Sequence, residues 1–209
     1  MFRLFSFLVG YAFGCIQSAY ITGKLVKGID IREYGSKNSG FTNANRVMGF
    51  KIGIWIFVAD VAKAVMAFLI ASWLFEGSGS FLSPGDNGIL PGVWAGIGVV
   101  IGHCFPIFLK FRGGKGIAST VGLVFMLDWR AAVIVYVIAV LIILISRYIS
   151  LASLIITLLT PIFMAVFGHG WEAVIVTAIL AVIAWFMHRE NILRLAKGDE
   201  RKFSFKKKE

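Results

Sequence analysis

Charged side chains are scarce in this chain. Asp, Glu, Lys and Arg supply 15 % of its 209 residues, where an ordinary soluble domain carries roughly a quarter. Hydrophobic residues make up 58 % and the mean hydropathy is +0.84. That balance excludes a disordered chain, a coiled coil and a basic nucleic-acid module. It also leaves too little polar surface to cover a soluble globule of this size. Cysteine is rarer still. Cys15 and Cys104 each sit in an apolar run, where a free thiol behaves as a small hydrophobe, so neither a disulfide nor a thiolate metal site is expected. Carboxylates number 11 and do not cluster, which removes the usual oxygen cage for a catalytic metal. No serine occupies a strand-to-helix elbow and neither cysteine makes a convincing Cys–His pair, so no covalent nucleophile stands out.

Apolar runs are what the chain has in plenty. They cover residues 4–23, 52–75, 93–109, 117–127, 131–145, 151–167 and 173–187. Twenty residues of helix reach about 30 Å, the thickness of a hydrocarbon core. The run 117–127 is short and crosses only if its flanks join the helix. The expected fold is an all-α integral membrane protein, a seven-transmembrane-helix bundle with some short helices, forming one domain over residues 1–209. The first run holds an early Arg3 and no short-side-chain cleavage site, and its Gly10, Gly14 and Ser18 suit a retained, closely packed helix rather than a leader. Further glycine pairs, Gly49 with Gly53, Gly92 with Gly96 and Gly98 with Gly102, point to a tight bundle.

Of the 21 basic residues, 17 fall in the segments 24–51, 110–115 and 188–209. Seven spans put all three segments on one face, which the positive-inside rule makes cytoplasmic, with the N-terminus outside and the C-terminus cytoplasmic. The stretch 76–92, with acids and no base, and Glu172 then face outward. Five spans, with the third and fourth runs entering and leaving as a hairpin, keep the same basic face. The tail from Lys197 onward reads as fraying or lying on the membrane surface. Trp73, Trp94, Trp129, Tyr148, Trp171 and Trp185 stand near span ends as interface anchors, and His169 reads as an outer loop residue. Inside the second run, Asp60 and Lys63 share a helical face. An unpaired charge at that depth costs at least ~2.5 kcal/mol, so the pair is read as a structural ion pair, with a share in an anion-attracting cavity as the alternative.

Three polar stretches lie on the basic face. The first runs Gly35-Ser36-Lys37-Asn38-Ser39-Gly40-Phe41-Thr42-Asn43, with Asn45 and Arg46 after it. Its glycines let backbone N–H groups converge, its hydroxyls and amides donate, and Arg46 offers a fork suited to phosphate. The second is Gly102-His103-Cys104-Phe105-Pro106 followed by Lys110-Phe111-Arg112-Gly113-Gly114-Lys115-Gly116. Gly-Gly-Lys-Gly opening a helix has the physics of a phosphate cradle. It is not a Walker loop, because Leu109 stands where the earlier glycine belongs and Ile117 where the hydroxyl belongs. Lys110 and Arg112 read equally as membrane-surface anchors. The third is His188-Arg189-Glu190-Asn191, with Arg194 beyond. His188 and Asn191 share a face, and Glu190 is placed to hold the partner of His188 or a lysine. So many anion donors on one face fit phosphate chemistry driven by positioning and charge stabilisation. They fit a transporter of a phosphorylated metabolite as well.

Together the three stretches resemble the three cytoplasmic motifs of the bacterial membrane glycerol-3-phosphate acyltransferases that use acyl phosphate, the PlsY family. The first resembles the family's Gly-Ser-Gly-Asn-x-Gly-x-Thr-Asn element, the second its Gly-His-x-Phe-Pro and Lys-x-Gly-Gly-Lys-Gly stretch, and the third its His-Arg-Glu-Asn element. Asp60 and Lys63 fall where members carry Asp-x-x-Lys. Lys37 departs from the pattern, standing where the family usually has glycine.

The resemblance implies transfer of an acyl group from acyl phosphate to glycerol 3-phosphate, giving lysophosphatidate and inorganic phosphate. It implies no cofactor and no metal, a bacterial plasma (inner) membrane location, and no partners beyond the two substrates and membrane lipids, with a monomer expected. On this reading Ser36, Arg46, His103, Lys115, His188 and Asn191 are catalytic. Gly35, Asn38, Gly40, Thr42, Asn43, Lys110, Gly113, Gly114, Gly116 and Glu190 bind substrate. The group around Ser36 and Arg46 holds one phosphate and the turn at Lys115, with His188 and Asn191, the other. The hydroxyl proton passes to the leaving phosphate, with His103 and His188 as rival acceptors. The acyl tail runs between helices open to the bilayer.

Overall fold

The computed structural model describes residues 1–75 and 89–203. The acidic stretch expected to face outward lies almost wholly outside the described residues, and so does the end of the basic tail. Among the described residues the chain is helical throughout. Its α-helices are α1 (Phe2–Gly14), α2 (Ser18–Lys27), α3 (Phe41–Met48), α4 (Phe50–Leu74), α5 (Leu90–Cys104), α6 (Ile117–Leu127), α7 (Trp129–Ser146), α8 (Ile149–Val166), α9 (Trp171–Met187) and α10 (Arg189–Lys197). Five segments among these residues are long and apolar enough to cross a membrane: α1 with α2, α4, α5 with the turn that follows it, α7 and α8. A sixth, α9 with α10, qualifies as a pair bent by 61°.

The remaining apolar helix, α6, differs from a full span. Its 11 residues rise about 16 Å, well short of a bilayer core. Yet its far end reaches the α8–α9 turn, where His169 Nε2 donates to Asp128 Oδ2 at 2.9 Å. Asp128 also starts α7, whose 18 residues run about 27 Å back. α6 is therefore about 10 Å shorter than the helix that runs back beside it; in the turn before it Gly114 and Gly116 are buried, while Lys110, Phe111 and Arg112 are exposed. His169, expected as a plain loop residue, is thus a tie between two turns on the face opposite the basic segments. On that face Glu172 is buried and bonded by Arg3 and by Trp94 Nε1, the latter at 2.9 Å. Trp94 is therefore a brace rather than a lipid anchor, while Trp73, Trp129 and Trp171 stand exposed.

The first expected span is two helices, interrupted at Cys15–Gln17. A break inside a bilayer leaves carbonyls at one end and N–H groups at the other without helical partners. The Asp60–Lys63 pair lies across this break. Lys63 Nζ donates to Ile16 O at 2.7 Å and stands 2.9 Å from Asp60 Oδ1. Ser18, at the first turn of α2, donates its hydroxyl to Asp60 Oδ1 at 2.9 Å. The cation thus meets the negative end of α1 and the carboxylate the positive end of α2, the arrangement that helix dipoles favour. Both charges are about 98–99 % buried.

α1 and α5 pack backbone to backbone. A Cβ at Gly10 or Gly14 would overlap the carbonyls of Ala95 and Val99, and one at Gly98 or Gly102 those of Phe7 and Tyr11. The small residues are reciprocal, which is the close approach expected of such pairs in an apolar helix. This seam fixes α5, and with it the turn that follows, against the first span.

Candidate functional site

Motif residues from three separate parts of the sequence gather where α3, the start of α6 and the start of α10 meet, but they divide sharply in what they are free to do. Asn43 is buried on α3, and its amide is fully committed to its own loop. Nδ2 donates to the carbonyls of Ile31, Tyr34 and Asn38 at 3.0–3.1 Å, and Oδ1 accepts from the Ser36 N–H at 2.8 Å. It shapes the loop around Gly35–Gly40 and has no donor left for a phosphate. Among the described residues the Ser36 and Thr42 hydroxyls and the Arg46 guanidinium, by contrast, have no hydrogen-bond partner, and Ser36 and Arg46 are exposed. Desolvation and the nearby charges of Arg201 and Arg194 lower the Arg46 pKa, while Glu200 opposes them. Lys37 adopts φ 59°. That left-handed backbone explains why a glycine suits this position.

The Gly-Gly-Lys-Gly turn corrects the cradle reading in part. The Gly113 N–H donates to Cys104 O at 3.1 Å and the Gly114 N–H to His103 O at 2.9 Å, so neither is available to an anion. A Cβ at Gly113 would overlap the His103 carbonyl, and one at Gly114 the His103 ring. These two glycines are there for close approach. Gly116, at φ 78°, turns the chain into α6. Only Lys115 projects its head group onward: its Nζ donates to Asn191 Oδ1. Burial, then the charge of Arg194, lowers its pKa from 10.5 to about 8. Lys110 is exposed at φ 55°, away from this contact.

His103 is not placed for the proton-acceptor role expected of it. It is 3 % exposed, and its Nδ1 stands 2.9 Å from Lys63 Nζ, so its lone pair is held by the buried ion pair. His188 is the reverse case. Its Nδ1 lies 2.7 Å from the Ala184 carbonyl, which can only accept, so the proton sits on Nδ1. Nε2 then keeps its lone pair and has no partner among the described residues. Glu190 turns to solvent, its side chain 75 % exposed and 3.9 Å from Arg194.

Two participants escaped the sequence reading. Gln17, 2 % exposed in the α1–α2 break, donates to the carbonyls of Gly14 and His103 at 3.1 Å and accepts from Ser39 Oγ at 2.9 Å. It ties the first polar stretch to the second. Glu200 returns from the tail to accept from Asn191 Nδ2 at 2.7 Å and Arg194 Nε at 2.8 Å. Nothing in the tail signals this, since Asp199 stands beside it and offers the same carboxylate. The tail is docked rather than frayed at this point, since the Phe203 N–H donates to Arg147 O at 2.7 Å and its ring meets Phe41 at 6.1 Å.

Against known proteins, the family model described as Glycerol-3-phosphate acyltransferase matches residues 4–198. The chain belongs to the glycerol-3-phosphate acyltransferase family. It is 40 % identical over 206 residues to the glycerol-3-phosphate acyltransferase of Thermoanaerobacter sp. (strain X514), covering 99 % of this chain and 98 % of that one. The relative from Halalkalibacterium halodurans is 38 % identical over 202 residues, with 94 % and 93 % covered. Crystal structures of PlsY, an integral membrane glycerol 3-phosphate acyltransferase, align with TM-scores of 0.85 in its glycerol 3-phosphate form and 0.83 in its lysophosphatidic acid form. Their identities are 33 % and 32 %, covering 97 % of this chain and 96 % of that one. As a PlsY-type acyltransferase, the chain is an integral membrane enzyme, and its basic, partly uncommitted cluster sits in the fold that acylates glycerol 3-phosphate.

Proposed function

We propose that this acyltransferase takes its acyl group from acyl phosphate, at the cytoplasmic face of a bacterial plasma membrane. One chain of a single domain would do this, with no metal and no covalent enzyme intermediate. Seven helical passes, the short α6 included, would leave the N-terminus outside. The observation that carries the reading is the set of anion donors left without acceptors among the described residues: the Ser36 and Thr42 hydroxyls, the Arg46 guanidinium, and the two further N–H groups of the Lys115 ammonium. These are hydroxyl and cationic donors, which suit two phosphorylated substrates better than they suit a metal cage. Ser36, Thr42 and Arg46 hold one phosphate, and Lys115 with Asn191 the other. Asn43, Gly113 and Gly114 act by shaping the site.

In the reaction the glycerol hydroxyl oxygen bonds to the acyl carbonyl carbon. The bond from that carbon to the phosphate oxygen breaks, and the electron pair leaves with phosphate. Cations fixed around both phosphates stabilise the charge that develops. The hydroxyl proton passes to the leaving phosphate, with His188 Nε2 as the protein atom able to take it. The acyl tail lies in an apolar groove of about 360 Å³ lined by Phe125, Val133, Tyr136, Val137, Val140 and Leu141. Tyr136 reaches from it to the Thr120 carbonyl at 3.4 Å, one helical turn from Gly116.

The test offers acyl phosphate, acyl-CoA and acyl carrier protein separately to purified enzyme, measuring phosphate and lysophosphatidate together. Product from acyl phosphate alone is expected, and Ser36→Ala, Arg46→Ala, Lys115→Ala and His188→Ala should each slow it by about tenfold or more. Product from acyl-CoA and none from acyl phosphate overturns the donor assignment.

A further inference from the structure

Among the described residues, Glu200 is the one carboxylate that turns inward amid the basic groups of the site. Its Oε1 accepts from Ser150 Oγ at 3.1 Å and from Asn191 Nδ2 at 2.7 Å, and its Oε2 from Arg194 Nε at 2.8 Å. The side chain is 6 % exposed. Three elements therefore meet on one acid: the start of α8, α10 and the tail. The tail is held in place on both sides of it. The Asp199 N–H donates to Arg194 O at 2.9 Å, and the Phe203 N–H to Arg147 O at 2.7 Å.

An amide has a donor end and an acceptor end, and Asn191 uses one on each side. Lys115 donates to its Oδ1, and Nδ2 donates to Glu200. Turned over, the amide would set N–H against an ammonium and oxygen against a carboxylate, two repulsive contacts in place of two charge-assisted bonds. With Glu200 neutral or missing, only Lys115 would hold the orientation, and Arg194 would lose its one close inward-facing anion.

We infer that Glu200 is a positioning residue of the acyltransferase: by clamping Asn191 and Arg194 it fixes the amide and, through it, the Lys115 ammonium that receives the glycerol 3-phosphate phosphate group. The inference rests on the phosphate site proposed above and takes glycerol 3-phosphate, rather than the acyl donor, as the occupant beside Lys115. Glu200 touches no substrate on this account. It acts through Asn191, and it supplies the negative charge that lets Arg46, Lys115, Arg189, Arg194 and Arg201 crowd one side of the bundle with the neutral His188 among them and Glu190 turned to solvent.

The test compares the parent enzyme with Glu200→Gln, Glu200→Asp and, as an equal change of charge in the same tail, Asp199→Asn. Glycerol 3-phosphate binding is measured by calorimetry without any acyl donor, and the KM for glycerol 3-phosphate, kcat and thermal midpoint alongside it. Glu200→Gln is expected to weaken binding and raise KM by about tenfold, the loss of one charge-assisted contact, and to lower the thermal midpoint as well, since three elements meet on this buried acid. Its alkaline limb should move below the parent's, because Lys115 loses a neighbouring anion that holds its proton. Glu200→Asp should recover part of the loss, and Asp199→Asn should behave as the parent. Unchanged binding in Glu200→Gln overturns the inference, and so does tighter binding, which would make the carboxylate a competitor of substrate phosphate. A parent enzyme that binds glycerol 3-phosphate but uses no acyl phosphate would refute the donor assignment alone, leaving the calorimetric comparison to decide Glu200.

Discussion

Raising the pH should push activity and stability in opposite directions, and Lys115 is the reason. Burial first, and then the charge of Arg194, brings its pKa from 10.5 down to about 8. A site that needs the ammonium loses it through that lower value, so the rate should fall with a midpoint near pH 8. Stability follows the difference in bound protons. Between about pH 8 and 10.5 the unfolded chain still carries the proton that the folded chain has released, so folding becomes more favourable as pH rises through this window. The ceiling is about 3 kcal/mol from the size of the displacement, and partial solvation of Lys115 brings the expected gain nearer 1 kcal/mol. Other groups titrate in the same range, so the quantity to measure is the difference between the parent and Lys115→Met, a side chain with no charge at any pH. Thermal midpoints of both proteins in the same detergent, from pH 7 to 11, give the stability arm. Initial rates of the parent and Lys115→Arg give the activity arm. Arginine stays charged throughout, so whatever activity Lys115→Arg retains should lose the limb near pH 8. A parent–Met difference that is flat in pH, or a limb near pH 8 that survives in Lys115→Arg, refutes the assignment of this proton to Lys115.

The buried ion pair gives a second prediction. Asp60→Asn leaves the Lys63 ammonium without its counter-ion and should cost about 3–5 kcal/mol, while Asp60→Asn with Lys63→Met should recover part of that in the same unfolding assay. Gly114→Ala drives a methyl group into the His103 ring, so it should destabilise the turn and abolish transfer. The same change at Gly168, where a Cβ would meet nothing within 4 Å, should cost only the strain of its left-handed backbone, about 1–2 kcal/mol. Lys37→Gly relieves a left-handed non-glycine residue; against the extra freedom of the unfolded chain it should still stabilise by about 0.5 kcal/mol and leave transfer unchanged, read by thermal midpoint and initial rate.

Residues close in sequence made much of the site legible. Ser36, Arg46, Lys115, His188 and Asn191 announce anion binding by their chemical types, and their flanking apolar runs place them at span ends. What they are bonded to is not written in the chain. Asn43 and Ser36 look alike as donors, yet one is committed to three carbonyls and the other to none. His103 and His188 are equally plausible proton acceptors until one is found against Lys63 and the other against a carbonyl. Gln17 and Glu200 carry no local signal at all, because their partners lie far along the chain.

By itself the sequence determined the solvent. An apolar excess this large, with bases collected into three segments, can only be folded as helices in a bilayer, since every backbone group there must find its partner within the chain. Glycines at four-residue spacing determined that helices would touch. The tertiary structure alone decided where the first helix breaks, what the short α6 packs against, and which donors are left open. Those outcomes depend on hydrogen bonds between segments tens of residues apart, where orientation and distance, rather than residue type, settle whether a polar group braces the fold or faces a ligand.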